Sequence, residues 1–358
     1  MGLLLIAAAL LLQDKPETIV LKGARIVTLA GPEIENGTVV IQAGKILRVG
    51  AEVEIPAGAK VIELSKSSQV FPGFVDLHSH LGSAFEIEEA TEAVTREVRA
   101  VEAFTSRHRD VRAALGSGVT TVALAPGNGN VVGGRVGVVK LNGARYDKAL
   151  VADSVANKAS LGSEALRRDR EPTSHAGALR LLRDLVKDPA SELAKLPLLV
   201  HAATAGEIHS AFDLAHPSMI LLHAREAAKV SWTDRRGMTV AFGPLGPGDS
   251  REVLETPAML ARNGLRLAFV SDAPVSPEEH LRVTAAFAVK YGLERSEALR
   301  ALTVVPSEAL GLSKRLGTIE TGKDGDVVVW SGDPLTLSSA VELVIVDGTV
   351  TFRRQEKP

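Results

Sequence analysis

Cysteine is absent from this chain of 358 residues, and aromatic residues make up only 4% of it. The first absence excludes disulfide bonds and thiolate ligands, so any metal site must use histidine, carboxylate or modified lysine side chains. The scarcity of aromatic residues disfavours nucleic-acid binding by base stacking. The 41 basic and 43 acidic residues are interspersed, and the formal net charge is −2. The chain therefore lacks the basic stripe expected for nucleic acid and the polybasic run expected for a membrane surface.

An apolar run of ten residues, from Leu3 to Leu12, is too short to cross a bilayer comfortably. Its length and its small residues are typical of the apolar region of a signal peptide, although no basic residue precedes it. We therefore expect residues 1–13 to be a signal peptide and the protein to be exported or periplasmic, without stable membrane insertion. The alternative is a buried helix or strand in a cytoplasmic protein.

Both ends of the chain contain short β-prone runs separated by turn signals. Residues 37–41 are one example near the start. Val341–Val346 is another near the end, where Asp347 and Gly348 predict a hairpin turn. These patterns predict one small β-sandwich built from residues 17–70 and 307–354.

Residues 71–306 alternate apolar strand candidates with helical patterns, which implies parallel strands joined by right-handed crossovers. The strand candidates are residues 73–78, 119–125, 136–141, 154–159, 196–201, 219–223, 238–242 and 265–271. The helical patterns are residues 88–102, 109–115, 177–186, 205–214, 253–261 and 277–291. Eight such units in about 250 residues predict an α/β fold, the (β/α)₈ TIM-type barrel. The link 126–135 is too short and glycine-rich for a helix, so this unit is expected to be irregular.

Polar side chains of metal-ligand type follow four of the predicted strands. His78 and His80 end the first, and in an extended backbone both imidazoles point to the same side and can reach one metal ion. His201, His223 and Asp272 end three later strands. Each residue alone would be explained as a buried, hydrogen-bonded polar group. The set predicts a metal site, because barrel active sites lie where the strands end.

Several segments resemble motifs of the amidohydrolase superfamily of metal-dependent hydrolases, and the resemblance covers nearly the whole chain. The opening motif is Pro-Gly-Phe-Val-Asp-Leu-His-Ser-His at residues 72–80. Residues 118–122, 271–274 and 317–326 resemble the family's next strand, its last strand and its return to the small sandwich. Within the superfamily the chain is most similar to the imidazolonepropionase-like and prolidase-like branch.

The resemblance implies roles for individual residues. His78 and His80 would bind the more buried metal, and His201 and His223 a second one, or one of them would serve a single metal. Asp272 would ligate metal and take the proton from the attacking water. A carboxylated lysine bridges the metals in dinuclear members. Lys158 is preferred for that place over Lys140, and an unmodified lysine is the alternative for either. Imidazole and carboxylate ligands suit one or two divalent ions, with zinc expected first and Mn, Fe or Co also compatible.

Three further features are candidates for the site. Arg225, two residues after His223, could pair bidentately with a substrate carboxylate; an exposed loop arginine is the alternative. The glycine-rich loop at residues 127–134 could cradle a phosphate or form a structural turn over the barrel mouth. His175 lies in a loop that could reach the site.

The combined prediction is an enzyme that hydrolyses a C–N bond in a small molecule, either an amide, a cyclic amide or a dipeptide. One alternative is a catalytically silent metal-binding protein on the same fold. Another is a deaminase or phosphoesterase of similar architecture, because fold alone does not decide chemistry. A homo-oligomer is compatible with the sequence, which does not fix the oligomeric state.

Overall fold

The computed structural model describes residues 17–83 and 87–355. The predicted signal peptide at residues 1–13 lies outside these residues. Among the helices of the described part, none combines the length and the apolar character that a membrane crossing would require.

Two eight-stranded sheets dominate the described part of the chain. In chain order the strands are β1 (Thr18–Ile26), β2 (Ile34–Gln42), β3 (Lys45–Gly50), β4 (Lys60–Glu63), β5 (Gln69–Pro72), β6 (Phe74–Ser79), β7 (Val119–Leu124), β8 (Val132–Lys140), β9 (Leu150–Ser160), β10 (Leu198–Ala202), β11 (Met219–His223), β12 (Thr239–Phe242), β13 (Arg266–Phe269), β14 (Val327–Trp330), β15 (Val341–Val346) and β16 (Thr349–Arg353). The helices are α1 (Arg109–Gly116), α2 (Tyr146–Ala149), α3 (His175–Lys187), α4 (Ala205–Phe212), α5 (Arg251–Arg262), α6 (His280–Lys290), α7 (Arg295–Leu302) and α8 (Val304–Ala309).

One of these sheets contains β6 to β13 and forms a nearly closed barrel, in which strands adjacent in sequence are also adjacent in space. Its two edges meet where the backbone N–H of His80 donates to the carbonyl of Ala273 at 2.7 Å. β6, β7 and β10 to β12 are buried along their whole length, as expected for strands covered on both faces. The TIM-type barrel is confirmed at this level, and all eight predicted strands are present, β11 with the predicted bounds and the other seven with shifted ends.

The third barrel strand, β8, differs from the prediction. It runs antiparallel to both β7 and β9, whereas the remaining neighbouring pairs are parallel. A parallel connection needs a crossover of a dozen or more residues, and the link between β7 and β8 is shorter than that. The chain therefore turns straight back, and β8 ends at the opposite end of the barrel from the other seven strands.

The helix predicted at residues 88–102 is also wrong: in its place lie turns and a short 3₁₀ turn at Ala100–Ala103. β7 pairs with β8 only from Gly137 onward, which leaves the first half of β8 with a free edge. Val94 and Arg99 form bridges to that edge. Tertiary pairing thus takes precedence over the local helical pattern.

The other sheet combines strands from both ends of the chain, in the order β16-β15-β14-β5-β1-β2-β3, with β4 beside β1. β14 pairs antiparallel with β5, which directly precedes the barrel. β15 and β16 are joined by the predicted hairpin turn, with positive φ at Asp347 and Gly348. Strands from both termini therefore hydrogen-bond in one sheet, while the two-layer sandwich and its boundaries stay a prediction.

A buried ionic cluster, Lys140 with three aspartates, joins this sheet to the barrel. The ammonium group of Lys140 lies 2.6 Å from Asp324 Oδ2, 3.0 Å from Asp326 Oδ2 and in contact with Asp347. Its side chain is only 1% exposed. Burial lowers the pKa of Lys140, but Asp326 and Asp347 outweigh that effect and hold it above the ordinary value. The cluster is a charged contact between the barrel floor and the terminal strands.

Candidate metal centre at the mouth of the barrel

The histidines and the aspartate singled out in the sequence lie together at one end of the barrel. His78 is on β6, His201 on β10 and His223 at the end of β11, while Asp272 follows β13. These strands run in the same direction, so their carboxyl ends meet at the same rim. Suitable ligand atoms of His78, His223 and Asp272 all lie within 4.8 Å of one another. The structure thus brings together residues that are far apart in sequence.

The carboxylate of Asp272 connects two of the histidines. Its Oδ1 accepts from His78 Nδ1 at 2.7 Å, and its Oδ2 accepts from His223 Nε2 at 2.7 Å. His223 Nδ1 then remains as an acceptor and lies 2.6 Å from His201 Nδ1. Burial raises the pKa of Asp272, but contacts with His223 and His78 outweigh it and hold that pKa well below its usual range. Asp272 is therefore a carboxylate that only accepts hydrogen bonds.

Two of these residues adopt the left-handed backbone conformation that non-glycine residues rarely take. The φ angles are 70° at His223 and 56° at Asp272. Such conformations are concentrated at active sites, where the surrounding structure holds the strained backbone. The side chains of His223 and Asp272 also contact each other, so the strained backbone lies at the site itself.

His78 and His80 each keep one ring nitrogen available. His80 Nδ1 donates to the carbonyl of Ala125 at 2.7 Å, so its Nε2 carries the lone pair. His78 Nδ1 donates to Asp272, and its Nε2 is buried with no hydrogen-bond partner in the described residues. Burial lowers the pKa of His78 to about 3 and also lowers that of His80. Both rings are thus neutral near pH 7, the form that binds metal.

The structure separates the two candidate lysines. Lys158, on β9, is fully buried near the cluster, where its charge interacts with Asp272 and His201. Its Nζ donates to Asn128 Oδ1 at 2.5 Å and to the carbonyl of Gly127 at 3.3 Å. Burial lowers the pKa of Lys158 to about 8. Lys140 instead belongs to the ionic cluster at the far end of the barrel.

The glycine-rich segment at residues 127–134 forms a loop up to residue 131 and then the start of β8, and its loop part faces other protein groups. Gly127 and Asn128 contact Lys158, and the amide of Gly129 donates to the carboxylate of Glu88 at 2.7 Å. An amide already used by a carboxylate does not favour a phosphate cradle. The contacts with Lys158 and Glu88 thus favour the structural turn among the two alternatives.

Sequence reasoning missed a set of buried acids behind the cluster. Asp76 accepts from the backbone N–H of His78 at 3.1 Å and from Ser271 Oγ at 2.5 Å. The Ser271 hydroxyl also lies 3.3 Å from Glu278 Oε2. Burial raises the pKa of both acids. Asp76 lies inside the motif at residues 72–80 and could have been found there, whereas Glu278 carries no sequence signal.

A cavity of about 350 Å³ opens directly onto this cluster. His201, His223 and Asp272 form part of its wall. Arg225 also lines it, and its guanidinium donates to the carbonyl of Pro244 at 3.2 Å and pairs with Asp249. His175 lines a neighbouring cavity. Both residues therefore lie near the mouth, as their positions in the sequence suggested.

The donors present at the rim fit a divalent cation. Imidazole nitrogens and a carboxylate are ligands that Zn, Mn, Fe and Co accept. The orphaned His78 Nε2 and the lone pair of His80 Nε2 are the atoms that such a cation would satisfy. The Nδ1 atoms of the two rings are hydrogen-bonded to Asp272 and to the carbonyl of Ala125. These bonds fix the tautomers of the rings, as is common for metal-bound histidine.

Comparisons with known proteins show which chains this one is similar to. Residues 214–352 match the family model described as "Amidohydrolase family". The amidohydrolase tasK of Hapsidospora irregularis is 25% identical over 88% of this chain, which spans 40% of that relative's length. The imidazolonepropionase of Sphingopyxis alaskensis is 28% identical, with 88% of this chain and 92% of that protein covered. The crystal structure of an amidohydrolase from Thermotoga maritima MSB8 superposes with a TM-score of 0.85 and 32% identity, covering 94% of this chain and all (100%) of that one.

Proposed function

This chain belongs to the amidohydrolase superfamily, and we propose that it is a divalent-metal-dependent enzyme that hydrolyses the C–N bond of an amide, a cyclic amide or a dipeptide. The single observation that carries the proposal is the convergence of His78, His223 and Asp272 within 4.8 Å at the barrel rim. The imidazolonepropionase of Sphingopyxis alaskensis, similar over nearly the whole chain, supports the choice of a C–N bond.

The proposed metal site uses His78, His80, His201, His223 and Asp272. Neutral imidazoles and an ionised carboxylate are the protonation states that metal binding needs, and burial supports the neutral form of His78 and His201, whose pKa it lowers to about 3 and about 2. A divalent cation bound there would lower the pKa of a water molecule and polarise a carbonyl oxygen. We expect zinc first, and one or two ions.

Asp272 is the proposed general base and acid. Its carboxylate is ionised and borders the cavity, so it can accept a proton from water and return it to the leaving nitrogen. His78 and His223 hold its two oxygens in place. Orientation by two fixed partners keeps the reacting oxygen close to its target geometry.

Lys158 is the proposed bridging residue if the enzyme holds two ions. Its depressed pKa of about 8 leaves a larger neutral fraction at pH 7 than an ordinary lysine has, and only the neutral amine reacts with CO₂. Its burial beside Asn128 would protect the resulting carbamate from water.

Arg225 is the proposed recognition group for a substrate carboxylate. It borders the same cavity as Asp272, so its positive charge would lie near a scissile bond held beside that carboxylate. Asp249 and Pro244 use some of its five N–H donors and orient the plane of the guanidinium. The remaining donors are available to an anionic small molecule.

The test is a metal count followed by a substrate panel. The purified protein is analysed for metal per chain and assayed on dipeptides, N-acyl amino acids and cyclic amides, before and after chelation. We expect bound divalent metal, turnover of at least one C–N substrate, its loss on chelation and its recovery on adding metal back. Bound metal without turnover of any C–N compound would favour the silent metal-binding protein instead.

A further inference from the structure

A second cavity adjoins the metal-site cavity beyond the ends of β9 and β10. Its volume is about 470 Å³. The two cavities have three lining residues in common, Ser163, Thr204 and Glu207. A substrate held next to Asp272 in the first cavity therefore has space to extend past these residues into the second.

Four of the five polar side chains that line the second cavity, those of His175, Thr204, Glu207 and Ser210, already make hydrogen bonds. His175 contacts the carbonyl of Leu161 at 3.2 Å through Nδ1 and the hydroxyl of Ser210 at 3.0 Å through Nε2. The Thr204 hydroxyl accepts from the amide of Glu207 at 3.3 Å. A polar substrate group placed beside these side chains would lose its water, while the side chains are already engaged in their own hydrogen bonds. Burying a polar group in this way costs free energy.

The rest of the wall consists of Ser163, two leucines and a glycine. The leucines are Leu161, which is fully buried, and Leu166. Gly206 contributes no side chain, and a Cβ built there has nothing within 4 Å. Ligand sites of this kind are mostly apolar and gain affinity from the apolar area that the ligand buries.

Charge gives the substrate a direction. Glu207 lines both cavities and so borders the passage between them, whereas Arg225 and Glu164 line only the first cavity. A substrate carboxylate would be repelled from the passage and attracted to the arginine. The uncharged half of the substrate would then lie in the second cavity.

We infer that the second cavity is an acyl subsite, and that the substrate is an N-acyl amino acid whose acyl group is apolar, uncharged and several carbons long. The inference rests on the proposed C–N hydrolase function. In the reaction the oxygen of water bonds to the acyl carbon, the C–N bond breaks and the nitrogen takes a proton. The products are an aliphatic carboxylate and a free amino acid.

The experiment uses the metal-loaded full chain and a series of N-acetyl-, N-butanoyl-, N-hexanoyl- and N-octanoylglycine. Each added methylene that leaves water should raise kcat/KM by about three- to fourfold until the cavity is filled. Gly206→Leu fills the cavity and should remove most of this dependence on chain length. Gly31→Leu is the matched control, because a Cβ at this exposed glycine also has nothing within 4 Å, and the residue lies in the loop between β1 and β2 and lines neither cavity.

A second pair of substrates separates an apolar subsite from one that binds an amine. 4-Methylpentanoylglycine and leucylglycine differ only in the amino group. We expect the first to be the better substrate; a preference for the dipeptide would mean that Glu164 and Glu207 bind an ammonium group and would overturn the acyl subsite.

The remaining outcomes keep the subsite and the proposed function distinguishable. Hydrolysis of N-acetylglycine with no gain for longer chains, or an unchanged gain in Gly206→Leu, would overturn the subsite and leave the function intact. If no acylglycine is hydrolysed, calorimetric binding decides: tighter binding of N-octanoylglycine than of N-acetylglycine, lost in Gly206→Leu, supports the subsite, and equal binding overturns it.

Discussion

Lys140 and Lys158 lie at opposite ends of one antiparallel strand pair. Lys158 on β9 is opposite Gly134 of β8, and Lys140 is the last residue of β8, beyond Val139, which is opposite Leu150. The same side-chain type therefore enters two unlike environments, one beside histidines and one among aspartates. Substituting each lysine in turn should separate the chemistry of the mouth from the stability of the floor.

Lys158→Met should reduce metal content and turnover by about 10- to 100-fold, the range seen when a group that supports metal ligands is removed. The free energy of unfolding should hold or rise, because methionine avoids burying an ammonium group of similar length. Metal analysis, turnover and urea unfolding on the same preparation check this. Wild-type activity in Lys158→Met would exclude a bridging role.

Lys140→Met should give the opposite result. It leaves three aspartates near one another without their shared cation, and breaking a buried ion pair on one side costs about 3–5 kcal/mol. We expect a lower midpoint in urea unfolding, with unchanged metal per folded chain. Loss of metal at unchanged stability would contradict the placement of Lys140 at the barrel floor.

Asp272→Asn should lower kcat by about 10³-fold, since the amide cannot accept the proton from water. The amide keeps the size of the carboxylate, so the thermal midpoint should change by only a few degrees. Asp234→Asn, an exposed carboxylate at the opposite end of the barrel, is the matched control and should retain full activity. Substantial turnover in Asp272→Asn would refute the proposed mechanism.

The unfolding free energy of the metal-free protein should depend on pH through His201. Burial lowers the pKa of His201 to about 2 in the folded state, against 6.5 for an ordinary histidine. Below pH 6.5 the unfolded chain takes up a proton that the folded chain refuses, so this contribution to stability is lost as pH falls. Relative to His201→Gln, the wild-type protein should lose about 1 kcal/mol between pH 6.5 and pH 5.5, and the loss should approach about 1.4 kcal/mol per pH unit at lower pH. Urea unfolding in chelator at pH 7.5, 6.5 and 5.5 measures this, and parallel curves for the two proteins would rule it out.

Gly162→Ala should impair the site without unfolding the barrel. A Cβ at this position would lie 2.7 Å from Cδ2 of His201 and 2.5 Å from the Glu164 carboxylate, so the imidazole must move. We expect about tenfold weaker metal binding, the lower end of the range for disturbed ligand orientation. Gly248→Ala, where a Cβ meets nothing within 4 Å, should bind metal normally. If the two variants bind metal equally, His201 tolerates the displacement.

The parts of the site that follow from local patterns could be predicted from the sequence. His78, His80, His201 and His223 each follow an apolar run, and parallel strands carry their ends to one rim whatever the details of the loops. Asp272 could be predicted in the same way, because it also follows an apolar run. Arg225 and His175 were found near the mouth from their positions alone, although their roles stay predictions.

The parts that depend on strand direction and distant pairing could not be predicted. The antiparallel course of β8 follows from a short loop, yet the pattern of its side chains is the same for either direction, so Lys140 looked like a strand-end residue of the mouth. Residues 88–102 have a helical spacing but complete the edge of β8 instead. Glu278 is paired with Asp76 only through the closed barrel, and nothing in its neighbourhood in the sequence indicates that.

The ionic cluster on the barrel floor also constrains the order of folding during synthesis. Lys140 needs partners that follow it by 184 to 207 residues, so they leave the ribosome long after it does. Until the aspartates are available, burying the Lys140 ammonium group is unfavourable. The contact between β8 and the terminal strands therefore cannot form. Such distant pairing slows folding. A nascent chain released before Asp347 would therefore carry an incomplete floor, however well its upper rim had assembled.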